Sequence, residues 1–251
     1  MTEPRLGLPW LTATVTDLRR ETDTAKSIAF GVPGWPGHLA GQHIDLRLTA
    51  EDGYVAQRSF SLASPAGNST TVEITVQRVA EGEVSPFLLE ELRIGDQLEL
   101  RGPIGGYFAW SPTSIRPLML IAGGSGVVPL MSMLRTRQIA RDSGRARLLY
   151  SSRSFDQILY RTEFEQLSTL SGAPTIVHTL TRGTPPGWTG EHGRVDKTML
   201  ARHAIAASDE PDTFVCGPTP FVEAVADHLL SLGYAEGKIR TERFGPTGEA
   251  T

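Results

Sequence analysis

The hydrophobic pattern of this chain changes abruptly near residues 111–117, and this change limits the possible folds more than any other feature. Before it, apolar and polar residues alternate, as in segments 44–48 and 72–76. After it, continuous apolar runs are followed by segments with helical periodicity. Segment 111–117 is polar and contains two prolines, which is typical of a linker. We therefore predict two domains, residues 1–112 and residues 113–251.

The first domain is predicted to be mainly β. Its short alternating segments between Leu11 and about Leu100 are separated by Gly, Pro, Asn and Asp, a pattern that favours an antiparallel barrel or sandwich. One helix interrupts the strands. Ser85 can cap it, Pro86 suits its first position, and Gly95 is expected to stop it.

The second domain is predicted to be a parallel α/β sheet. Four buried strands are expected, and helical segments lie between them. Such alternation is typical of a parallel sheet covered by helices. The predicted strands are residues 118–122, 147–150, 175–179 and 213–216.

Composition excludes several classes of protein. The chain has 251 residues and one cysteine, Cys216, so an internal disulfide, a cysteine-ligated iron-sulfur cluster and a cysteine-ligated zinc site are excluded, and we expect no metal. The amino terminus lacks a signal pattern and no apolar run is long enough to cross a bilayer, which predicts a cytoplasmic protein without a membrane span.

Charge is distributed unevenly along the chain. Residues 1–113 hold nine Lys/Arg and fourteen Asp/Glu, a net charge of −5, whereas residues 114–251 hold fifteen and fourteen, a net charge of +1. The total of −4 gives no reason to expect nucleic-acid binding. The second domain is the better candidate for binding a polyanion.

A glycine turn follows the first apolar strand of the second domain. Gly123, Gly124, Ser125 and Gly126 lead into a helix, with Pro129 in its first turn. Exposed amides at such a turn can bind a pyrophosphate. A tight turn without a ligand is the first alternative. The second is a hydrolase nucleophile elbow, G-x-S-x-G, in which Val127 would replace the last glycine.

Two further segments are candidates for a site. Cys216, Gly217 and Pro218 place a thiol and a turn at the carboxyl end of a predicted strand, where α/β sheets bind ligands. The alternative for Cys216 is a small buried hydrophobe. Segment 58–61 offers a cation, an aromatic ring and hydroxyls on a predicted strand, although an ordinary surface strand also produces such a tetrapeptide.

The order and spacing of these segments resemble the ferredoxin-NADP reductase-like flavoprotein family over nearly the whole chain. The matches are the following segments, in chain order: R-x-[YF]-[ST] at 58–61, a glycine-then-serine segment at 82–85, G-P-x-G at 102–105, the glycine turn at 123–129, Gly193-Arg194-Val195, and C-G-P at 216–218. The resemblance implies an antiparallel Greek-key β-barrel that binds flavin, followed by a parallel α/β nucleotide-binding domain whose carboxyl-terminal segment returns to the flavin.

The resemblance also implies roles in binding FAD. Arg58 would pair with a flavin phosphate, Phe60 would lie along the isoalloxazine, and Ser61 would bond near flavin N5. The remaining flavin-binding residues implied by the family are Ser59, the backbone of Ile74, Thr75 and Val76 along the ribityl chain, and Gly82, Val84 and Ser85 at the pyrophosphate. The last segment favours FAD over FMN.

For the nicotinamide cofactor, the resemblance implies pyrophosphate binding at Gly123–Gly126. Cys216, followed by Gly217 and Pro218, would lie beside the nicotinamide and the flavin, and Phe244 in the closing segment would approach the flavin. Ser61, Cys216 and Phe244 are thus the candidate catalytic residues.

The choice between NADPH and NADH depends on segment 151–161. NADPH-specific members of the family place a serine-arginine pair there and a tyrosine a few residues later. The resemblance therefore implies that Ser152 and Arg153 would donate to the 2′-phosphate and that the Tyr160 ring would contact the adenine. An NAD site would favour an acidic residue there. NADPH is therefore predicted, with NADH possible.

The predicted activity is that of an NAD(P)H-dependent oxidoreductase that passes a hydride from NADPH to FAD and then electrons to a separate acceptor. Because the chain lacks cysteines for a fused iron-sulfur domain, we expect the acceptor to be another molecule: a ferredoxin, flavodoxin, haem or molybdenum protein. The alternatives are a free-flavin or quinone reductase and a regulatory module that binds flavin or nucleotide without turnover. A monomer is favoured.

Overall fold

The computed structural model describes residues 8–49, 53–79 and 82–245, which form two domains. The first is a six-stranded antiparallel sheet with the strand order β4-β3-β6-β1-β2-β5. A bridge between Leu62 and Ile74 joins the region after β4 to β5, so the two edges meet and the sheet closes into a barrel. Its elements are β1 (Leu11–Thr22), β2 (Ala25–Gly31), β3 (His43–Thr49), β4 (Val55–Ser61), β5 (Thr71–Gln77), α1 (Val84–Glu90) and β6 (Gln97–Ile104).

Alternating side chains fill the barrel. Ile28 and Phe30 of β2, together with Val72, Ile74 and Val76 of β5, have no exposed surface. The residues between them point away from the barrel interior, as the period of two requires. Strand β6 lies between β3 and β1, which is a Greek-key connection. The predicted Greek-key barrel is confirmed.

The predicted helix in the barrel exists, but its boundaries were predicted incorrectly. Helix α1 begins at Val84, so Ser85 and Pro86 lie inside its first turn. The Ser85 hydroxyl accepts a hydrogen bond from the Val79 amide at 2.9 Å and therefore does not cap the helix. The helix ends at Glu90 rather than near Gly95, whose φ of +96° belongs to the turn before β6.

The second domain is a six-stranded parallel sheet with the order β10-β9-β8-β7-β11-β12. The four predicted strands are confirmed, and the two edge strands, one of two residues and one of six, were not predicted. The elements are β7 (Leu118–Gly123), α2 (Val127–Ile139), β8 (Ala146–Ser152), α3 (Arg161–Ser168), β9 (Thr175–Leu180), β10 (Glu191–His192), α4 (Lys197–His203), β11 (Asp212–Pro218), α5 (Thr219–Ser231) and β12 (Ile239–Phe244).

Helices cover both faces of this sheet. Successive residues of β7 point to opposite faces of the sheet: Leu120 belongs to one hydrophobic cluster and Ile121 to another. Helices α2 and α3 pack in the first cluster, whereas α4 and α5 pack in the second. The predicted parallel α/β domain is therefore confirmed as a doubly wound sheet.

Helix α2 also packs against the barrel. Ten of its thirteen residues are buried, so it has no solvent-facing side of the usual kind. Phe108 and Trp110, from the segment that leaves the barrel, join its cluster. One hydrophobic cluster thus spans both domains, in addition to the separate core inside the barrel. The domain boundary at residues 112/113 stays a prediction.

The glycine turn lies between β7 and α2, and it is packed tightly against β11. A Cβ atom at Gly126 would lie 2.2 Å from the carbonyl oxygen of Cys216. Gly124 differs, because its φ is +55° but a Cβ there would meet nothing within 4 Å. The turn is therefore constrained by packing at Gly126 and by backbone conformation at Gly124.

We expect Gly126→Ala to lower the free energy of unfolding by about 3 kcal/mol or more, because backbone atoms of β11 must move to admit the methyl group. Gly124→Ala is the matched control, with a cost of about 1 kcal/mol for the left-handed conformation alone. Urea unfolding of both variants measures the difference. Equal losses of stability would contradict the packing argument.

Candidate functional site

A cleft of about 580 Å³ lies at the carboxyl end of the parallel sheet, where the barrel meets the second domain. The glycine turn lines it through Gly123, Gly124 and Ser125. Gln77 and Arg78, at the end of barrel strand β5, line its other side. Both domains therefore contribute to one cleft, at the edge where open α/β sheets bind ligands.

The conformation of the glycine turn leaves room for a ligand. Residues 124–126 form one turn of 3-10 helix that leads directly into α2. The space above Gly124 is open, as no atom lies within 4 Å of a Cβ built there. Free amides and the amino end of α2 can attract a phosphate at this position. Gly126 does not line the cleft, because it packs against the backbone of Cys216 on β11.

The cleft contains four arginines. Ser152 and Arg153, which were predicted to bind the 2′-phosphate, lie at the end of β8 and line the cleft. Arg182 follows the adjacent strand β9, and its amide donates a hydrogen bond to the Arg153 carbonyl at 2.8 Å. Arg194 and Arg78 complete the set. Such a group of guanidinium groups favours a ligand with several phosphate oxygens.

Arg182 was missed in the sequence, and Arg194 was noticed only as part of a family motif. Both lie in loops at the carboxyl ends of parallel strands. Arg182 follows β9, and Arg194 follows β10. The signal that could have found Arg182 is its position three residues beyond the predicted strand 175–179, since loops at the carboxyl ends of parallel strands meet at one edge.

Tyr160 does not fit its predicted role as an adenine-binding ring. It is 2% exposed and does not line the cleft. Its φ is +57°, and its hydroxyl lies 2.5 Å from Oγ1 of Thr75 in the barrel. The side chain therefore points into the interface between the domains.

On β4, the strand predicted to bind flavin, the guanidinium of Arg58 is accessible to solvent. Arg58 is exposed, and its guanidinium donates to the neighbouring Gln57 carbonyl at 2.7 Å without a carboxylate partner in the described part of the chain. An exposed guanidinium of this kind fits the phosphate of FAD. Phe60 packs partly against the barrel core, and Ser61 is half-buried at the strand end.

Ser59 takes part in a different interaction from the one predicted. Its hydroxyl donates to Asp45 at 2.6 Å, and Arg101 donates to the same carboxylate at 2.8 Å. Burial alone would raise the pKa of Asp45, but these two hydrogen bonds hold it below its usual value. Asp45 is therefore charged at neutral pH, and the Ser59 side chain fixes β4 to β3.

The other predicted flavin contacts depend on backbone atoms. Ile74, Thr75 and Val76 are buried, so the side chains face the barrel or the domain interface and only the backbone is available. Helix α1 packs against both β4 and β5, which places Gly82, Val84 and Ser85 beside these strands. Val84 is 2% exposed and the Ser85 hydroxyl is bonded to Val79, so a phosphate at this end would contact amides.

Cys216 lies beneath the cleft. It is 1% exposed, and burial raises the pKa of its thiol well above the usual value, with the charge of Glu242 adding to the effect. The thiol is therefore neutral. Gly217 is buried, whereas Pro218 and Phe244 line the cleft, and Phe244 is 36% exposed.

Glu242 stands beside Cys216, because β12 pairs with β11 in parallel register at these two residues. Burial raises the pKa of its carboxyl to about 7. Its Oε2 atom has no hydrogen-bond partner among the described residues. Glu242 can therefore hold or release a proton near neutral pH, one strand away from a neutral thiol.

The described residues lack two other kinds of feature. No group of three or more His, Cys, Asp and Glu side chains there could hold a metal ion. None of the helices in residues 8–49, 53–79 and 82–245 is long and apolar enough to cross a membrane.

Comparison with known families identifies both halves of the chain. The family described as "Oxidoreductase FAD-binding domain" matches residues 19–109, and the family described as "Oxidoreductase NAD-binding domain" matches residues 120–227. These ranges correspond to the barrel and to the parallel sheet.

Two curated relatives are similar over most of this chain. NADH-cytochrome b5 reductase 1 of Aspergillus terreus is 30% identical over 234 residues, which cover 88% of this chain and 78% of the relative. The glycine betaine monooxygenase reductase subunit of Chromohalobacter salexigens is 32% identical over 211 residues, covering 82% of this chain and 56% of the relative.

Solved structures share the arrangement of both domains. The flavohem-like FAD/NAD binding domain of nitric oxide dioxygenase from Vibrio cholerae superposes with a TM-score of 0.84 at 26% identity, covering 94% of this chain and 99% of that one. A ferredoxin NADP+ reductase from Neisseria gonorrhoeae with bound FAD and NADP has the same fold, with a TM-score of 0.77 at 20% identity over 93% and 98% of the chains.

These findings confirm the predicted cofactors, FAD and a nicotinamide nucleotide, and the predicted class of NAD(P)H:acceptor oxidoreductase. Two lines of comparison point to the same family: the FAD-binding and NAD-binding domains in this order along the chain, and the relatives at 30% identity or more. The chain belongs to the ferredoxin-NADP reductase-like flavoprotein family.

Proposed function

We propose that this protein is a cytoplasmic reductase that oxidises NADPH at FAD and delivers the electrons to a separate redox protein. One observation carries the proposal: the glycine turn of the nucleotide domain and the end of barrel strand β5 line the same cleft. A nucleotide on the turn and a flavin along β4 and β5 would therefore meet. Bound FAD would supply the chemistry, as it accepts a hydride with a proton and returns two electrons singly.

The residues of the chain bind and orient the two cofactors. Arg58 would hold a flavin phosphate, Ser61 and the backbone of β5 would hold the ring and ribityl chain, and the glycine turn would hold the nucleotide pyrophosphate. Phe244 would cover the flavin from the cleft side. Cys216 and Glu242 would keep a neutral thiol and a titratable carboxyl near the reacting rings, where both are shielded from water.

The arginines of the cleft favour NADPH over NADH. Arg153 and Arg182 are joined through the backbone and both line the cleft beside Ser152. A 2′-phosphate can accept from two guanidinium groups and a hydroxyl, whereas the ribose of NADH would leave these donors without an anionic partner. The curated relatives named for NADH support NADH as the alternative cofactor.

The acceptor is proposed to be a separate protein that carries one electron at a time. One curated relative is named for cytochrome b5 and another is a subunit of a monooxygenase, which supports a haem or oxygenase partner. A ferredoxin, a flavodoxin and a molybdenum protein remain candidates of the same class. A monomer is the expected state of this chain.

We expect anaerobic mixing of the FAD-loaded protein with NADPH to bleach the flavin absorbance, because the cleft brings the nicotinamide to the flavin. Stopped-flow absorbance measures the rate, and dithionite reduction of the same sample shows that the flavin is intact. A protein that stays yellow with both NADPH and NADH would be a binding module instead. Reduction of free FMN as fast as ferricyanide would favour the free-flavin reductase.

We expect Arg153→Ala to lower kcat/KM for NADPH by about 10- to 100-fold, because a charge-assisted contact to the 2′-phosphate is lost. The value for NADH is expected to change by less than about twofold. Arg116→Ala is the control, since this arginine lies outside the cleft and pairs loosely with Glu210. An unchanged NADPH preference would remove Arg153 from the specificity site.

Glu242 makes stability depend on pH. Its folded pKa of about 7 lies above the ordinary value of 4.5, so the folded protein binds the proton more tightly than the unfolded chain does. The resulting stability is fully present below about pH 4.5 and is lost as pH rises through about 7. Burial of the charged carboxyl is the physical cause.

We expect Glu242→Gln to remove this loss, which amounts to on the order of 1 to 3 kcal/mol between about pH 5 and about pH 8. Urea unfolding of the cofactor-free protein and the variant at both pH values measures it. The change in unfolding free energy between the two pH values is compared between wild type and variant, so that the contributions of other titrating groups cancel. Parallel curves for the two proteins would show that Glu242 titrates normally.

A further inference from the structure

A closed ring of hydrogen bonds joins the barrel to the nucleotide domain at Tyr160. The Tyr160 amide donates to Oε2 of Glu21 at 3.2 Å, and the Tyr160 hydroxyl lies 2.5 Å from Oγ1 of Thr75. Within the barrel, the Ser27 hydroxyl donates to Oε1 of Glu21 at 2.7 Å and lies 2.7 Å from Oγ1 of Thr75. One residue of the second domain therefore closes a ring with three residues of the first.

The backbone of Tyr160 is held in an unfavourable conformation by this ring. A φ of +57° in a tyrosine costs about 1 kcal/mol or more relative to the right-handed region. This conformation lets the amide and the hydroxyl of the same residue both reach the barrel. Burial raises the pKa of the Tyr160 hydroxyl well above its usual value, so it stays a proton donor at any physiological pH.

A partly buried ion cluster lies next to the ring. The guanidinium of Arg135 on α2 donates to both carboxylate oxygens of Glu163 on α3, each at 2.7 Å. The same guanidinium donates to Glu73 on β5 at 2.7 Å and to the carbonyl of Ala63 at 2.9 Å. It also stands over the Tyr160 ring, 5.3 Å from its centroid. Two helices of one domain are thus fixed to one strand of the other.

The ring and the cluster connect the two segments that are expected to hold cofactors. Thr75 and Glu73 lie on β5, whose backbone is proposed to hold the flavin. Tyr160 directly precedes α3, at the end of the segment that begins with Ser152 and Arg153 in the nucleotide cleft. A displacement at Tyr160 would change the distance between these segments without touching either cofactor.

We propose that Tyr160, held by Glu21 and Thr75, is a positioning residue that sets the distance between the nicotinamide and the flavin. The inference rests on the proposed function, because it names a device that aligns the two cofactors of that reaction. Tyr160 touches neither cofactor in this assignment and acts through the orientation of the two domains. Hydride transfer depends steeply on this distance, so a small displacement lowers the rate.

The test compares Tyr160→Phe with Tyr234→Phe. Tyr234 is the matched control, because it is 7% exposed and donates its hydroxyl to the Ile205 carbonyl within the nucleotide domain, away from the barrel. Three quantities are measured for each FAD-loaded protein: the rate of flavin reduction at saturating NADPH, the nucleotide Kd, and the long-wavelength charge-transfer absorbance of the stacked rings. FAD content is determined in parallel.

We expect Tyr160→Phe to slow flavin reduction by about tenfold and to weaken the charge-transfer absorbance, with the Kd for NADPH and the FAD content unchanged. Tyr234→Phe is expected to change the rate by less than about twofold, even where it lowers the melting temperature. Glu21→Gln provides a second variant of the same ring and is expected to act in the same direction, should Tyr160→Phe not fold.

Hydrogen exchange at the amide of residue 160 tests the ring without turnover. This amide donates across the interface to Glu21, so it reports opening directly. Exchange should be faster in Tyr160→Phe than in wild type and unchanged in Tyr234→Phe. The proposal would be overturned if Tyr160→Phe had the same reduction rate, charge-transfer absorbance and amide exchange as wild type. It would also be overturned if Tyr160→Phe and Tyr234→Phe had equal effects.

The two proposals fail in distinguishable ways. If NADPH and NADH both leave the wild-type flavin oxidised, the proposed function is wrong. The exchange experiment then decides whether the ring fixes the domains, with faster exchange in Tyr160→Phe supporting it and unchanged exchange overturning it. If NADPH reduces the wild-type flavin and only the positioning proposal is wrong, wild type and Tyr160→Phe will be reduced at equal rates.

Discussion

Helix α2 is buried on both sides, and the geometry of the whole molecule depends on this burial. One side packs on β7 and β11 through apolar residues. On the other side, the Ser132 hydroxyl donates to the Ser64 carbonyl at 2.6 Å, and Thr136 Oγ1 accepts from the Ala66 amide at 2.8 Å. Because α2 begins at the glycine turn, a rigid element places the phosphate-binding amides relative to the barrel. The burial of α2, together with its hydrogen bonds to the barrel, therefore determines where a nucleotide would lie with respect to a flavin.

The second domain contacts the barrel on more than one side. Arg240 on β12 donates to the Ala109 carbonyl at 2.8 Å, and the Tyr107 hydroxyl donates to the Ile239 carbonyl at 3.2 Å. These contacts lie far along the chain from the polar ring at Tyr160. Polar contacts between domains have strict distance and angle requirements, whereas apolar packing tolerates sliding. The apolar core thus holds the domains together, and the hydrogen bonds select one orientation.

Much of the fold followed from the sequence because it depends on local pattern. The alternation in the first domain and the apolar runs in the second predicted the two sheets, and the glycine turn predicted a strand-to-helix connection. Residues whose roles depend on tertiary contacts were harder. Ser85 has the chemistry of a helix cap, yet its hydroxyl bonds to Val79. Tyr160 has the spacing of an adenine-binding residue, but a φ of +57° turns it toward the barrel.

The cleft residues show the same limit. Arg153 was predicted because it follows a recognisable strand and has a family precedent. Arg182 lies beside it only because β8 and β9 are in parallel register, which joins Ser151 to Thr179 and Ser152 to Leu180. No local pattern in the sequence contains that register. Glu242 was noticed only within a closing segment, and its raised pKa of about 7 arises from burial, which depends on tertiary packing.

The arginines of the cleft also affect how quickly a nucleotide arrives. Arg78, Arg153, Arg182 and Arg194 line one opening. Arg78 is paired with Glu90, and the other three create a positive potential that extends beyond the contacts themselves. A cofactor with several negative charges is drawn in over about one Debye length, roughly 8 Å at physiological ionic strength. Added salt shortens that range. The capture of the nucleotide, unlike the later transfer between stacked rings, is therefore sensitive to the ionic strength of the surrounding solution.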